Sequence, residues 1–208
     1  MSWMNRVRMI RKLNRNDRII ICKIRGLFRM VDKQAERFKK LTGLRCPKLC
    51  GLCCETTNIE ATAVEMFPLA LELWSGNETE MWLKKLEGAI NPGLCVFFKP
   101  DSAVPGNGRC AVYGLRPFIC RLFGFFTIKD KYGNDIYGSC KIIKEKYSLN
   151  YQKARKLIES KFHPLSKSDI MMRIVGISSS PARAMLPINQ AAKTALEKIG
   201  FYLDYLQK

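Results

Sequence analysis

Apolar positions recur at helical spacing from the start of the chain: Trp3, Val7, Ile10 and Leu13 step by four, three and three residues. Arg6, Arg8, Arg11, Lys12 and Arg15 surround them, so the pattern predicts a short, basic, amphipathic helix. A second stripe, Ile20, Ile24, Leu27, Val31, Phe38 and Leu41, predicts a long helix starting after Asn16 or Asp17 and stopping at Gly43. Further on, "ATAVEMFPLALELW" and "ETEMWLKKLEGAI" read as two helices. The first should be kinked or broken at Pro68, which lacks the N–H a helix interior uses.

Alternation then takes over. "CVFFKP" reads as a short strand, "DSAVPGNG" as loop, and "FFTIKDKYGNDIYGSC" as a hairpin turning near Tyr132, Gly133 and Asn134. Two more helices are expected around residues 148–162 and 188–207, joined through the turning segment "GISSSPARAMLP". No internal repeat of solenoid length is present. The expected fold is α+β and mostly helical: a compact, metal-stabilised, cysteine-rich core with short strands, flanked by helices.

Charge divides the chain into three parts. Residues 1–45 carry a net +11, residues 46–149 a net +1 and residues 150–208 a net +6, out of +18 overall. These parts are expected to be a basic helical arm, a cysteine-cluster domain and a C-terminal helical segment packed on the core. At 208 residues and 47% hydrophobic, the chain can bury a sizeable core without covalent staples. Its first residues are charged throughout, with no secretory h-region, and no run approaches a membrane span. A reducing cytoplasm is the expected compartment.

There, clustered cysteines point to metal or redox chemistry rather than disulfides. Eight of the nine cysteines fall between residues 46 and 140: Cys46, Cys50, Cys53, Cys54, Cys95, Cys110, Cys120 and Cys140. They are the candidate metal ligands. Cys22, in the apolar run "IIICKI", reads as a small buried hydrophobe. The single histidine, His163, lies outside the cluster, so any site there is dominated by thiolate. Such a set suits zinc or an iron–sulfur cluster and argues against magnesium or calcium. Two four-cysteine zinc sites would use all eight thiols; one iron–sulfur cluster would use four. Adjacent Cys53 and Cys54 should point in different directions, which favours two centres or one ligand and one bystander.

The spacing Cys46-x3-Cys50-x2-Cys53-Cys54, then Cys95, then "RCAVYGLRPFICRLFGF" with Cys110, Tyr113, Arg116-Pro117 and Cys120-Arg121, resembles the CxxxCxxCC or YkgJ-type cysteine-cluster proteins. The resemblance covers roughly residues 46–140 and implies zinc or iron chelation. A related pattern occurs in a flagellin lysine methylase, so the resemblance also admits a metal-dependent enzyme that modifies proteins. The first three cysteines alone also have radical S-adenosylmethionine spacing. The chain nevertheless lacks the strand–helix alternation of a partial barrel, and the further thiols suit a closed site better than an open iron.

Around the second motif, Pro117 fixes its own φ and pushes Arg116 towards extended backbone, presenting Cys120 stiffly. Arg116 and Arg121 would favour thiolate over thiol, and Tyr113 could donate its hydroxyl to a thiolate or a carbonyl. The neighbouring phenylalanines read as core. Arg6, Arg8, Arg11, Lys12 and Arg15, interleaved with Trp3, Phe28 and Phe38, form a candidate docking face for RNA or for an anionic membrane surface. With no Ser/His/Asp set, phosphate-cradling loop or dinucleotide fingerprint, a metal-stabilised binding or accessory protein is expected ahead of a catalyst.

Overall fold

The computed structural model describes residues 3–90, 92–160, 162, 164–178 and 183–205, with the side chains of residues 3–6 and 204–205 left out of the description. His163 and the side chains of Trp3 and Arg6 therefore lie outside the described residues.

Helix α1, Trp3–Lys12, is followed after one bend by α2, Arg15–Thr42. The second helix begins earlier than Asn16, because Asn14 caps it: its side-chain oxygen accepts the Asp17 N–H at 2.8 Å, and its amide donates to the Asp17 carboxylate. Gly43 ends it as expected, with φ 75° in the left-handed region and its N–H on the Lys39 carbonyl. The buried stripe is Ile20, Ile21, Ile24, Leu27, Phe28, Val31, Ala35 and Phe38. Leu41 leaves it at 41% exposed, since the last turn buries Thr42 instead. Cys22 is exposed, contrary to its reading as a buried hydrophobe: it lies on the opposite face from Ile20 and Ile24.

Strand β1, Glu60–Thr62, runs directly into α3, Ala63–Ser75, through a capping box of Thr62 and Glu65. The helix continues through Pro68 without a break. Helix α3 is buried around nearly all of its surface and packs on the last helix, α9, Ile188–Tyr205. The two approach closely: a Cβ at Gly200 would fall 2.2 Å from the Trp74 ring, whose Nε1–H donates to the Leu196 carbonyl at 3.0 Å. Helix α4, Thr79–Glu87, closes one end with Trp82 and Leu86.

Among the described residues, the strands form three antiparallel pairs. In the first, β1 pairs with β6, Met185–Pro187, a strand inside the segment read as a turning connection. Strand β2, Phe98–Pro100, pairs with β3, Gly108–Cys110, and β4, Phe126–Lys129, with β5, Asp135–Gly138, the expected hairpin. Three helices went unread: α5, Phe118–Leu122, α6, Lys141–Lys146, and α8, Lys167–Ile177. Helix α7, Ser148–Glu159, stands where a helix was expected.

The described residues form two hydrophobic clusters. The larger joins the first half of α2 to α3, α4, α5, α8 and α9; the smaller joins the end of α2 to Leu44, Phe125, Tyr137, Ile143, Ala154 and Ile158. Helix α2 belongs to both, so residues 1–45, 46–149 and 150–208 share one interior. Phe28 and Phe38, read as part of a docking face, are 4% and 1% exposed and belong to these cores.

Candidate metal centre

Four of the cysteines pack against the two clusters. Cys95, Cys110 and Cys120 pack against the larger and Cys140 against the smaller. Three separate local structures position these and the neighbouring thiols.

The first is the loop from Arg45 to Glu55. Leu49 takes φ 60°, uncommon for a residue with a side chain, and turns the chain so that Cys50 bridges to Asn107. Gly51 donates to the Gly106 carbonyl and Gly108 donates back to the Leu49 carbonyl, both at 2.9 Å. The Phe98 ring fills the space where both glycines lack a Cβ: one built there would fall 2.7 Å from the ring at Gly51 and 2.4 Å at Gly108. This contact clasps the Cys50–Cys54 segment against the β2–β3 hairpin, which is flanked by Cys95 and ends on Cys110. The second is the extended Arg116-Pro117 step, φ −62° and ψ 148° at Arg116, which enters α5 and carries Cys120. The third is the start of α6, where the Cys140 sulfur caps the helix by accepting the Ile143 N–H at 3.4 Å.

Cys53 and Cys54 sit in a single 3-10 turn, Leu52–Cys54. Their sulfurs do not diverge: they stand 4.0 Å apart, within reach of an S–H···S hydrogen bond. With Cys54 as donor, that bond holds the Cys53 thiol down at about 7, helped by the Arg116 guanidinium against the effect of burial. Cys54 is correspondingly pushed up by giving its proton to the bond and by burial, and further by Cys53, Cys120 and Cys110.

The other thiols feel one another too. Burial raises Cys120, with Cys95, Cys53 and Cys110 adding to the rise and Arg116 opposing it. Cys95 is pushed up to about 11 by burial, with Cys110 adding to the rise. Cys110 is raised by burial, against Arg116. Cys46 is raised by burial and by its neighbours Cys140, Cys53 and Cys50. Cys53, Cys54, Cys95, Cys110 and Cys120 thus influence one another, and Cys46 feels Cys140, Cys53 and Cys50. All nine cysteines are free thiols.

The donor set fits a thiophilic metal by type. The 4.0 Å between the Cys53 and Cys54 sulfurs is close to the edge of a tetrahedron of thiolates around zinc, about 3.8 Å for zinc–sulfur bonds of about 2.3 Å. Among the described residues, however, no three thiol, imidazole or carboxylate groups already stand at metal-binding distances from one another.

The three residues expected around the thiols occupy distinct places. Arg121 is 6% exposed, and its guanidinium bonds Asp32 at 2.5 Å, the Arg116 carbonyl at 2.8 Å and the Gly114 carbonyl, while lying over the Phe28 ring. It fixes the Gly114–Arg116 segment to α2. Arg116 stacks 3.6 Å above the Tyr113 ring centroid. Tyr113 is 65% exposed, and its hydroxyl has no hydrogen bond among the described residues.

Glu65 was missed. One carboxylate oxygen accepts from Thr62 and the other from the Phe118 N–H at 2.9 Å, so it fastens the start of α5 to the start of α3. The Thr62-x-x-Glu65 spacing signals the capping box; nothing in it signals the bond to Phe118.

Of the basic residues expected to dock a partner, Arg8, Arg11 and Arg15 are exposed and Lys12 is half-buried. Among the described residues, no helix is long and apolar enough to cross a membrane.

No curated protein and no solved structure matches the chain. Residues 45–152 match the CxxCxxCC family, described as a "Putative zinc- or iron-chelating domain". That span covers just over half the chain and holds eight of its nine cysteines, so the chain belongs to the CxxCxxCC family.

Proposed function

We propose that this chain holds zinc or an iron–sulfur cluster through Cys53, Cys54, Cys95, Cys110 and Cys120, with Cys46, Cys50 and Cys140 supplying a second set of donors. It then acts as a binding or accessory protein rather than as a catalyst. The observation that carries this reading is the mutual influence of five half-buried thiols drawn from three segments, two of them 4.0 Å apart. A bound metal would stabilise the thiolates that burial otherwise disfavours, and would fasten these loops to one another. Because no three of these groups stand at metal-binding distances from one another among the described residues, gathering four of them onto one centre requires the segments that carry them to shift.

Metal analysis of anaerobically purified full-length protein tests this, with visible absorption distinguishing an iron–sulfur cluster from zinc. Stoichiometric metal that is lost in Cys120→Ser and in Cys54→Ser supports the reading. Metal-free protein that remains folded, with every thiol titratable, overturns it.

We further propose that Arg6, Arg8, Arg11, Lys12 and Arg15 form the docking face for RNA. The net +11 of residues 1–45 supports this, as does the exposure of Arg8, Arg11 and Arg15. Binding should weaken with salt, the slope of log affinity against log salt falling by about 0.7 for each phosphate contact removed from a single strand. Replacing these residues with Gln should flatten that slope. Binding only to anionic vesicles, or binding to RNA unchanged by the replacements, overturns the assignment.

A further inference from the structure

Beside the thiols, α2 and the Tyr113–Arg121 segment enclose a cavity of about 230 Å³, open to solvent on one side. Its walls carry three cations and two carboxylates: Lys39, Arg116, Arg121, Asp32 and Glu36. Two ion pairs use up four of these charges. Arg121 holds Asp32 at 2.5 Å, and Lys39 holds Glu36 at 2.7 Å. The remaining charge is Arg116. Its Nε–H is buried and has no hydrogen-bond partner, although a buried donor left unmade costs about 1–3 kcal/mol, and more when it is charged. The Arg116 guanidinium carbon lies 3.6 Å from the Tyr113 ring centroid, so the ring covers one side of the cation.

We propose that this cavity binds the oxyanion group of a small ligand, a carboxylate or a phosphate, with the Arg116 guanidinium as its donor. A guanidinium edge matches two oxygens of either group. The volume lies below the roughly 300–1,000 Å³ of sites that enclose drug-sized molecules, so the ligand is a small acid or a single head group rather than a nucleotide. Arg116 also acts on Cys53, Cys110 and Cys120, so a bound anion draws on the same positive charge that favours their thiolates. The site needs no metal, and its test is independent of the metal analysis.

The test titrates full-length protein separately with inorganic phosphate and with acetate at constant ionic strength, following the Gly114 amide and the Arg116 Nε–H by NMR. Saturable shifts with one anion are expected, and that arm names the ligand class. Arg116→Gln should weaken binding about tenfold or more, and Arg116→Lys by less, because it keeps the charge and loses the fork. Glu36→Gln, which removes a negative charge from the wall, should tighten binding even if the Arg116 variants fold poorly. The absence of saturable shifts with both anions overturns the proposal. So does binding that survives Arg116→Gln, or an affinity that Glu36→Gln leaves unchanged.

Discussion

The Glu65 carboxylate accepts the backbone N–H of Phe118 at 2.9 Å from a position 2% exposed, so one buried acid sets both the start of α3 and the start of the helix bearing Cys120. Burial raises this carboxyl above its ordinary value, while bonds from Thr62 and Phe118 favour the charged form. Glu65→Ala leaves three donor groups without their acceptor and should cost about 2–4 kcal/mol in urea unfolding. It should also speed the labelling of Cys120 in the folded protein. Unchanged stability would show that the two helix starts are held by packing alone.

Arg121→Lys keeps the charge beside Asp32 but loses the fork that reaches the Gly114 and Arg116 carbonyls. Because the site is buried, the variant should lose about 2–3 kcal/mol of stability. Asp32→Asn should cost less, since the Asp32 side chain is 47% exposed and its ion pair is partly screened. Equal losses in the two variants would mean that the ion pair, and not the carbonyl contacts, fastens this segment.

In metal-free protein the alkylation rate of Cys53 should rise with a midpoint near pH 7, whereas Cys95, pushed up to about 11, should stay slow at neutral pH. The folded Cys53 value lies below the ordinary 9.0, so its contribution to stability is complete above about pH 9 and is lost as pH falls through about 7. Cys54→Ser keeps a donor and should preserve the midpoint; Cys54→Ala removes the donor and should raise it. Mass-spectrometric labelling across pH reads both, and an unmoved midpoint in Cys54→Ala would refute the hydrogen bond as its cause.

Gly108→Ala places a methyl 2.4 Å from the Phe98 ring and 2.7 Å from the Lys99 carbonyl oxygen. A ring can swing aside on its own, but the backbone oxygen belongs to a paired strand, so the strain should cost about 1–3 kcal/mol. Gly114→Ala, with open space around the added carbon, is the matched control and should be near neutral. Thermal unfolding of the pair decides it.

The long helices were legible because one face of each is apolar over many turns, as with Ile20, Ile24, Leu27 and Val31, and because Gly43 has the local chemistry of a stop. The cysteine pattern was legible because ligand-rich spacing survives without knowledge of the fold. Helices α5 and α6 were not: five and six residues span fewer than two turns, too short for a period to register. Strands β1 and β6 are three residues each, and they pair across a sequence separation that no local pattern reveals. Cys22 misled because a run of isoleucines looks buried throughout, whereas at about 3.6 residues per turn a residue two positions from Ile20 and Ile24 faces the other way. Pro68 does not break α3, whose burial on nearly all sides outweighs the loss of one backbone bond.

The pairing of α3 with α9 also has a consequence in time. Residues 76–187, 112 of them, separate the end of α3 from the start of the helix that covers it. A ribosome adding about 5–20 residues per second needs roughly 6–20 s to make that stretch. For most of that interval α3 has emerged without its cover, while every thiol up to Cys140 is made before the cover arrives. Nascent chains stalled before Ile188 should therefore keep an accessible apolar helix and be held by chaperones until the last turn of α9 leaves the tunnel.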